Sequence, residues 1–285
     1  MGRVVYIIII NWNGFSDTKE CIESLLKVEG TNYKVVLVDN GSKNFEGRRL
    51  KGIFPSIKLI SNEKNEGFCK GNNTAIYYCL KKEDCGYIMI LNNDVVIEKD
   101  FFKPLLKELE KNPKSIVSPM ILDYSNPEKV QTMGGKLFLG GVYHIGKNRR
   151  RNEFTEVVYP DSVSGACFMS KREAFEEVGL FDEQFFAYLE DLDWSVRANK
   201  CGYKLFTVPS SVIYHKHSQS TKDSYMKVYL IAKNNILFAR KNLSGIKKTI
   251  FIINSVIVGF VVNVIKYKKL FFIKEFVRGI RKGIE

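Results

Sequence analysis

Four short apolar runs in the first hundred residues each stop at a cluster of small polar side chains, and this repeat limits the folds open to the chain. Val4 to Ile10 runs into Asn11-Trp12-Asn13-Gly14, and Tyr33 to Val38 into Asp39-Asn40-Gly41-Ser42. Ile57 to Ile60 is followed by the polar stretch Asn62 to Gly67, and Tyr87 to Leu91 by Asn92-Asn93-Asp94. Near-continuous runs rich in Val and Ile are expected of strands covered on both faces. Helical spacing separates them. Cys21, Ile22, Leu25 and Leu26 share a face, preceded by Asp17 and Glu20 at capping-box spacing. Further helices are read from about Asn72 to Lys82 and from Phe101 to Lys111. Strand and helix in alternation predict right-handed βαβ units and a mostly parallel sheet with flanking helices. In such sheets ligands bind beyond the carboxyl ends of the strands. Strand-end turns favour Asn, Asp and Gly in any case, but four polar endings in a row on one edge point to a ligand.

The second half is less regular. Met133 to Gly146 is glycine-rich and reads as a hairpin or loop over the sheet edge. Ser162 to Met169 reads as a strand, Lys171 to Val178 as a helix, and Leu192 to Lys200 as a helix with Gly202 at its C-cap. Tyr203 to Val208 and Val212 to Tyr214 are strand-like, and a helix follows from Tyr225 to Lys241. The six cysteines are scattered without a C-x-x-C pair. The apolar stretch at the N-terminus is too short to span a membrane and shows no cleavage site, which predicts a cytosolic-facing protein with reduced thiols. Of the formal net charge of +13, Arg240 to Glu285 carries +9, from eleven Lys or Arg against two Glu. A nucleic-acid binder would carry its charge along a groove of the folded body. An excess confined to a very apolar tail suits an anionic membrane surface, so no nucleic-acid partner is expected.

IIIINWNG, VVLVDNGS, NEGFCKGNN, MILNNDVVI, SGACFMSKREAFEEVGLFDEQFFAYLEDLDWSVRANKCGY and VIYHKHSQS occur in the order found in family 2 inverting glycosyltransferases. The chain resembles the rhamnosyltransferase-like branch of that family over roughly residues 3 to 240, and the set is far more specific than any one motif. The resemblance implies a GT-A fold, a UDP- or dTDP-sugar as nucleotide-diphosphate donor, a divalent metal (Mg2+ or Mn2+) and inversion at the anomeric carbon.

Transfer from a nucleoside diphosphate requires that a departing diphosphate be stabilised and that the acceptor hydroxyl lose a proton. Hard phosphate oxygens call for a hard cation with oxygen ligands. Asp94 matches the last acidic position of the family's Asp-x-Asp signature, which assigns it to the metal. Asn92 stands where the family has the first Asp, so one negative charge is missing. By its residues alone, Asp94 is equally a turn cap. The resemblance places Asp39 and Asn40 at the donor's base and ribose, with Trp12 either against the base or packed as a lid on the sheet edge. Asn11 and Asn93 fall on the same edge. Asn65, Gly67 and Asn72 lie in the segment near the nucleotide, with a helix N-terminus at Asn72-Asn73 directed at the phosphates. In Glu190-Asp191-Leu192-Asp193 three carboxylates crowd into four residues, which can raise one pKa toward that of a general base. The family's base corresponds to Asp191, and Glu190 positions sugar or acceptor. Asp193 is read as a cap or as a partner of Arg197, and the bland reading of the trio is a solvated helix start. Gly165 and Ala166 leave room for the sugar ring. His215 is the further metal ligand by its spacing to Ser220, with His217 as fallback. His144 has no motif to support it.

The division expected is a GT-A catalytic domain over 1–242 and a basic, apolar helical tail over 243–285. Thr249 to Ile265, at 17 residues, falls short of the ~20 that span a bilayer. Leu270, Ile273, Phe276, Val277, Ile280 and Ile284 form an apolar stripe opposite Lys274, Arg278, Arg281 and Lys282. A basic amphipathic helix beside an apolar segment predicts a membrane-surface anchor; the alternative is a helical pair packed on the catalytic domain or on a second subunit, and a homodimer stays open. The function expected is sugar transfer to a lipid-linked glycan or polysaccharide at the inner face of the cell membrane. A nucleotidyltransferase would need a glycine- and lysine-rich phosphate loop, which NWNGFSDTKE lacks. A non-catalytic basic binding protein would explain the tail but not the strand-end acids, and no G-x-G-x-x-G follows Ile10 to suggest a dinucleotide enzyme.

Overall fold

The computed structural model describes residues 4–138, 141–216, 225–267 and 270–285, with the side chains of 262–267 and 270 outside the description. Strands β1 (Val4–Asn11), β2 (Tyr33–Asn40), β3 (Lys58–Asn62) and β4 (Cys85–Asn92) run parallel, with β1 between β2 and β4 and β3 outside β2. Their register aligns the polar endings: Asn11 lies beside Asp39, Ile10 beside Asn92, and Asn40 beside Asn62. The alternation along β1 explains its unbroken apolar run. Val5, Ile7 and Ile9 face a layer formed by α1 (Phe15–Leu25) and α2 (Glu46–Ile53), whereas Val4, Tyr6 and Ile8 face α3 (Gly67–Leu80) on the opposite side. Both faces are buried, and only apolar side chains satisfy that without stranding polar groups.

The second half completes the sheet, partly with strands that the sequence pattern did not reveal. β5 (Val95–Ile97), α4 (Phe102–Lys111), β6 (Ser115–Asp123) and β7 (Asn126–Thr132) follow β4. The hairpin β8 (Gly135–Phe138) and β9 (Gly141–His144) bears out the glycine-rich prediction. β10 (Cys167–Lys171) runs antiparallel between β4 and β6, and β11 (Lys204–His215) lies parallel to β6 with β5 antiparallel on its outer side. The path is β3-β2-β1-β4-β10-β6-β11-β5, with β7 on β6. The mostly parallel sheet is therefore corrected to a mixed one.

Several boundaries also shift. The Asp17–Glu20 pair does not cap α1: the helix starts at Phe15 after Gly14, and both acids instead reach Lys216. α3 begins at Gly67, so Asn72 and Asn73 lie within the helix and not at its start. The stretch read as a strand from Ser162 becomes one only at Cys167. After α5 (Arg172–Glu177), α6 (Glu190–Lys200) starts two residues before the expected Leu192; Gly202 follows its end at φ +84°, with its N–H donated to the Asn199 carbonyl.

The chain ends in three helices, α7 (Tyr225–Asn242), α8 (Gly245–Tyr267) and α9 (Leu270–Ile284). α7 closes the core layer that holds α3, α5 and α6, through Phe238 and Ala239, and Phe251 of α8 stacks beside Phe238 with ring centres 5.5 Å apart. α9 lies against α7 at Gly279 and Gly283. A Cβ at 279 would sit 2.9 Å from that of Ala232, and one at 283 would sit 2.6 Å from the Lys233 carbonyl oxygen. Among the described residues no helix is long and apolar enough to cross a membrane.

Candidate active site

The polar strand endings meet at one edge and are laced together. Asn93 donates its amide to the Thr18 hydroxyl (2.9 Å), which donates to Asn11 Oδ1 (2.7 Å). The Asn11 amide in turn reaches Ser42 and Glu46, each at 2.9 Å. Asn11 is fully buried, so it braces the edge from below. Asp39 accepts the backbone N–H of Ser42 (3.1 Å) and of Gly47 (2.9 Å), which fixes its carboxylate across the first turn of α2. The Asn40 side chain turns inward, donating to Asn65 Oδ1 and the Gly67 carbonyl and accepting from Asn62 and the Glu66 N–H. Trp12 is exposed, directly past the end of β1. Gly67, at φ +82°, is dictated by a neighbour: a Cβ there would lie 2.6 Å from the Phe186 ring. Asn72 is buried and donates to the Phe68 carbonyl one turn back, so it does not face the edge. The phosphate-directed helix start assigned to Asn72-Asn73 is thus corrected, because α3 begins five residues earlier and Asn73 grips the Phe181 backbone.

Asp94 and His215, separated by 120 residues, come together through the β5–β11 ladder, in which Val95 pairs with His215. Asp94 Oδ1 lies 3.1 Å from His215 Nε2, with both side chains largely buried. The Gln131 amide, 3.0–3.1 Å from His215 Nδ1, sets the ring so that Nε2 faces the carboxylate. His217 lies outside the described residues.

Gly165 and Ala166 join the two halves. The Asn92 N–H donates to the Ala166 carbonyl (2.9 Å), and the Gly165 N–H donates to Asp191 Oδ2 (2.8 Å). A single dipeptide therefore connects β4, which ends at Asn92 just before Asp94, to the helix that carries Asp191. Asp191 Oδ1 accepts the N–H of Leu192 (2.8 Å). Burial raises the pKa of Asp191 despite these donors. Glu190 is pushed up to about 8, first by burial and then by the neighbouring Asp191 charge. Its Oε2 is buried without a hydrogen-bond partner among the described residues. Asp193 is different: it pairs with Arg197 at 2.9 Å and accepts from Asn242 at 2.8 Å, and is structural. The solvated-helix-start reading fails because Glu190 and Asp193 are buried.

The family model described as "Glycosyl transferase family 2" matches residues 6–179. The chain belongs to that family. It is similar to the "dTDP-rhamnosyl transferase RfbF" of Shigella flexneri, at 26% identity over 99% of this chain and 98% of that one. It is also similar to the "N-acetylglucosaminyl-diphospho-decaprenol L-rhamnosyltransferase" of Mycobacterium tuberculosis, at 25% identity over 86% of this chain and 87% of that one. Among solved structures, GalNAc-T7 with UDP, GalNAc and Mn2+ superposes with a TM-score of 0.67 at 19% identity, covering 84% of this chain and 48% of that chain. This glycosyltransferase therefore has a GT-A-like α/β fold, and it spans about half the length of GalNAc-T7.

The family match ends before Glu190, Asp191 and His215, so those residues depend on the geometry and the longer relatives. The glycosyltransferase also places near Asp191 a residue that the sequence did not mark. His144, at the end of β9, is hydrogen-bonded through Nδ1 to Thr132 (3.1 Å). Burial lowers its pKa, and the Asp191 charge opposes that. Only the hairpin fold brings it there, and no spacing in the sequence announces it. Thr18, Glu46 and Gln131 were likewise invisible as members of the site, since each acts through a long-range hydrogen bond.

Proposed function

We propose that this protein is an inverting glycosyltransferase that moves a sugar from a UDP- or dTDP-sugar to a hydroxyl of a lipid-linked glycan or polysaccharide. The observation that supports the reading is the Gly165–Ala166 bridge, which is hydrogen-bonded to Asp191 on one side and to Asn92, two residues before Asp94, on the other. The donor lies along the polar strand endings, with Asp39 and Trp12 at the base. Asp191 takes the acceptor proton as the acceptor oxygen bonds to the anomeric carbon, and the bond from that carbon to the diphosphate oxygen breaks on the opposite face. One displacement inverts the centre. A raised pKa brings Asp191 closer to neutral pH and strengthens it as a base. A Glu190 that stays protonated keeps a second negative charge away from the incoming sugar and offers a donor to it.

Asp94 and His215 would hold a divalent cation. They supply one carboxylate and one imidazole, and among the described residues no cluster of three His, Cys, Asp or Glu forms. When bound, such an ion neutralises charge on the leaving diphosphate, and the imidazole suits Mn2+ better than Mg2+. The Mn2+ in the GalNAc-T7 structure supports this choice.

The acceptor reading draws on the decaprenol-linked substrate in the name of the mycobacterial relative. An attachment of the tail to the inner membrane surface fits with it. Ile253, Ile257, Val258 and Phe260 of α8 are exposed, beside an apolar groove of ≈ 500 Å³ shared with Phe276 and Val277 of α9. The assay is release of nucleoside diphosphate from a panel of UDP- and dTDP-sugars with Mn2+. Asp191→Asn and Asp94→Ala should each lose about 10²–10⁴ in kcat with the fold intact; full activity in both sinks the proposal.

A further inference from the structure

The segment just before Glu190 follows an unusual path. Phe186, Tyr188 and Leu189 have φ of 62°, 72° and 66°, three L-residues in the left-handed region within four positions. Such a conformation persists only where the surroundings over-determine it, and here the determinant comes from α7. Asn234 is fully buried, and its side-chain amide nitrogen lies 2.8, 2.8 and 2.7 Å from the carbonyl oxygens of Phe185, Ala187 and Tyr188. One NH2 group thus collects three peptide planes and fixes their orientation. Its own Oδ1 has no partner among the described residues, an arrangement that stability alone does not favour.

The same helix holds both flanks of the segment. Lys233 reaches the Gln184 carbonyl, Lys241 pairs with Asp182, and Asn242 donates to Asp193 at 2.8 Å. On the far side the Cys69 N–H donates to the Phe186 carbonyl (3.2 Å), and Gly67 leaves room for the Phe186 ring. The left-handed Leu189 is then the residue from which α6 starts, with Glu190 as its first member. The direction in which Glu190 and Asp191 enter the cleft is therefore set by peptide planes that Asn234 orients.

We propose that Asn234 is a positioning residue of the transfer reaction, clamping the 185–189 segment so that the Glu190–Asp191 pair is presented to the acceptor. The proposal rests on the reading of Asp191 as the base. Displacement of a base by an ångström costs about 10²-fold in rate, whereas the Asn11 side of the donor edge is braced by its own bonds among Asn11, Thr18, Ser42, Glu46 and Asn93.

The test uses the full-length protein with Mn2+ and either dTDP-rhamnose or UDP-glucose, whichever the parent hydrolyses faster, and follows nucleoside diphosphate release. Asn234→Ala should lower kcat about 10²-fold with donor KM and Kd within about twofold of the parent. Parent-level kcat overturns the proposal, and so does loss of donor binding in step with kcat, which marks general damage. Should Asn234→Ala not fold, Asn234→Ser keeps one donor for the loop and should show about a tenfold kcat loss at unchanged KM. Parent-level kcat in the Ser variant, or failure of both variants to fold, makes Asn234 merely structural. Asp191→Asn is measured alongside. If it is fully active, the base assignment falls whatever Asn234 does; if it is inactive beside a fully active Asn234→Ala, only the clamp falls.

Discussion

Glu190→Gln separates a carboxyl that folds neutral from one that folds charged. The Glu190 carboxyl is buried against Asp191 on its own helix and near the Cys69 thiol of α3, and its pKa rises from 4.5 to about 8. Between those two values the folded state holds a proton that the unfolded chain has released. Stability must then fall as pH rises through this window, and level off above it. Each pH unit corresponds to about 1.4 kcal/mol, so between pH 6 and pH 9 the parent should lose about 3 kcal/mol through this one group. Glu190→Gln has no proton to lose. Urea unfolding of both proteins at the two pH values should show the variant gaining about 3 kcal/mol on the parent at the higher pH. The alkaline fall in the parent's kcat, centred near pH 8, should also vanish in the variant even though its plateau is lower. A stability difference that stays constant from pH 6 to pH 9 refutes the neutral buried carboxyl.

Gln131→Leu should release the His215 ring and weaken Mn2+ binding about 10- to 100-fold, read as the Mn2+ concentration needed for half-maximal donor turnover. Gly67→Ala forces a Cβ into the Phe186 ring at a positive φ and should destabilise by about 1–3 kcal/mol, measured by chemical unfolding. Exchanging the exposed Ile253, Ile257 and Phe260 for Ser should abolish co-sedimentation with anionic phospholipid vesicles while leaving nucleotide release in solution at the parent level.

The strand-end half of the candidate site was legible because its pattern is repetitive. A both-sides-buried strand has to be apolar throughout, so the Ile7–Ile9 run could be nothing else, and each polar ending had to fall on the same edge. β6 was hidden by Ser118 and Pro119, polar and ring-closed residues that sit beside an irregular stretch of β11 and are tolerated there. β7 was hidden by the polar, exposed Asn126-Pro127-Glu128-Lys129 with which it begins. With β5 also unread, the contact of Asp94 with His215 could be inferred only by resemblance, since it exists through the three-residue β5–β11 ladder. Asn72 and Asn73 misled for a physical reason: small amides cap helices, but from within one they also bind backbone carbonyls, Asn72 that of Phe68 in the same helix and Asn73 that of the distant Phe181. Asp191 was singled out because a motif carries it. Asn234, which has no motif, was not.

The glycine pair on α9 decides how far this chain can be trimmed. Ending the chain after Asn242 would strip the cover from Val228, Ala232 and Ile236 and leave a greasy flank on α7. Arg240, whose guanidinium is held by the Gly283 and Ile284 carbonyls, would lose its acceptors. The sounder route keeps all three terminal helices and changes only the outward-pointing side chains of α8, so that solubility is altered without loosening the helix behind Asp191.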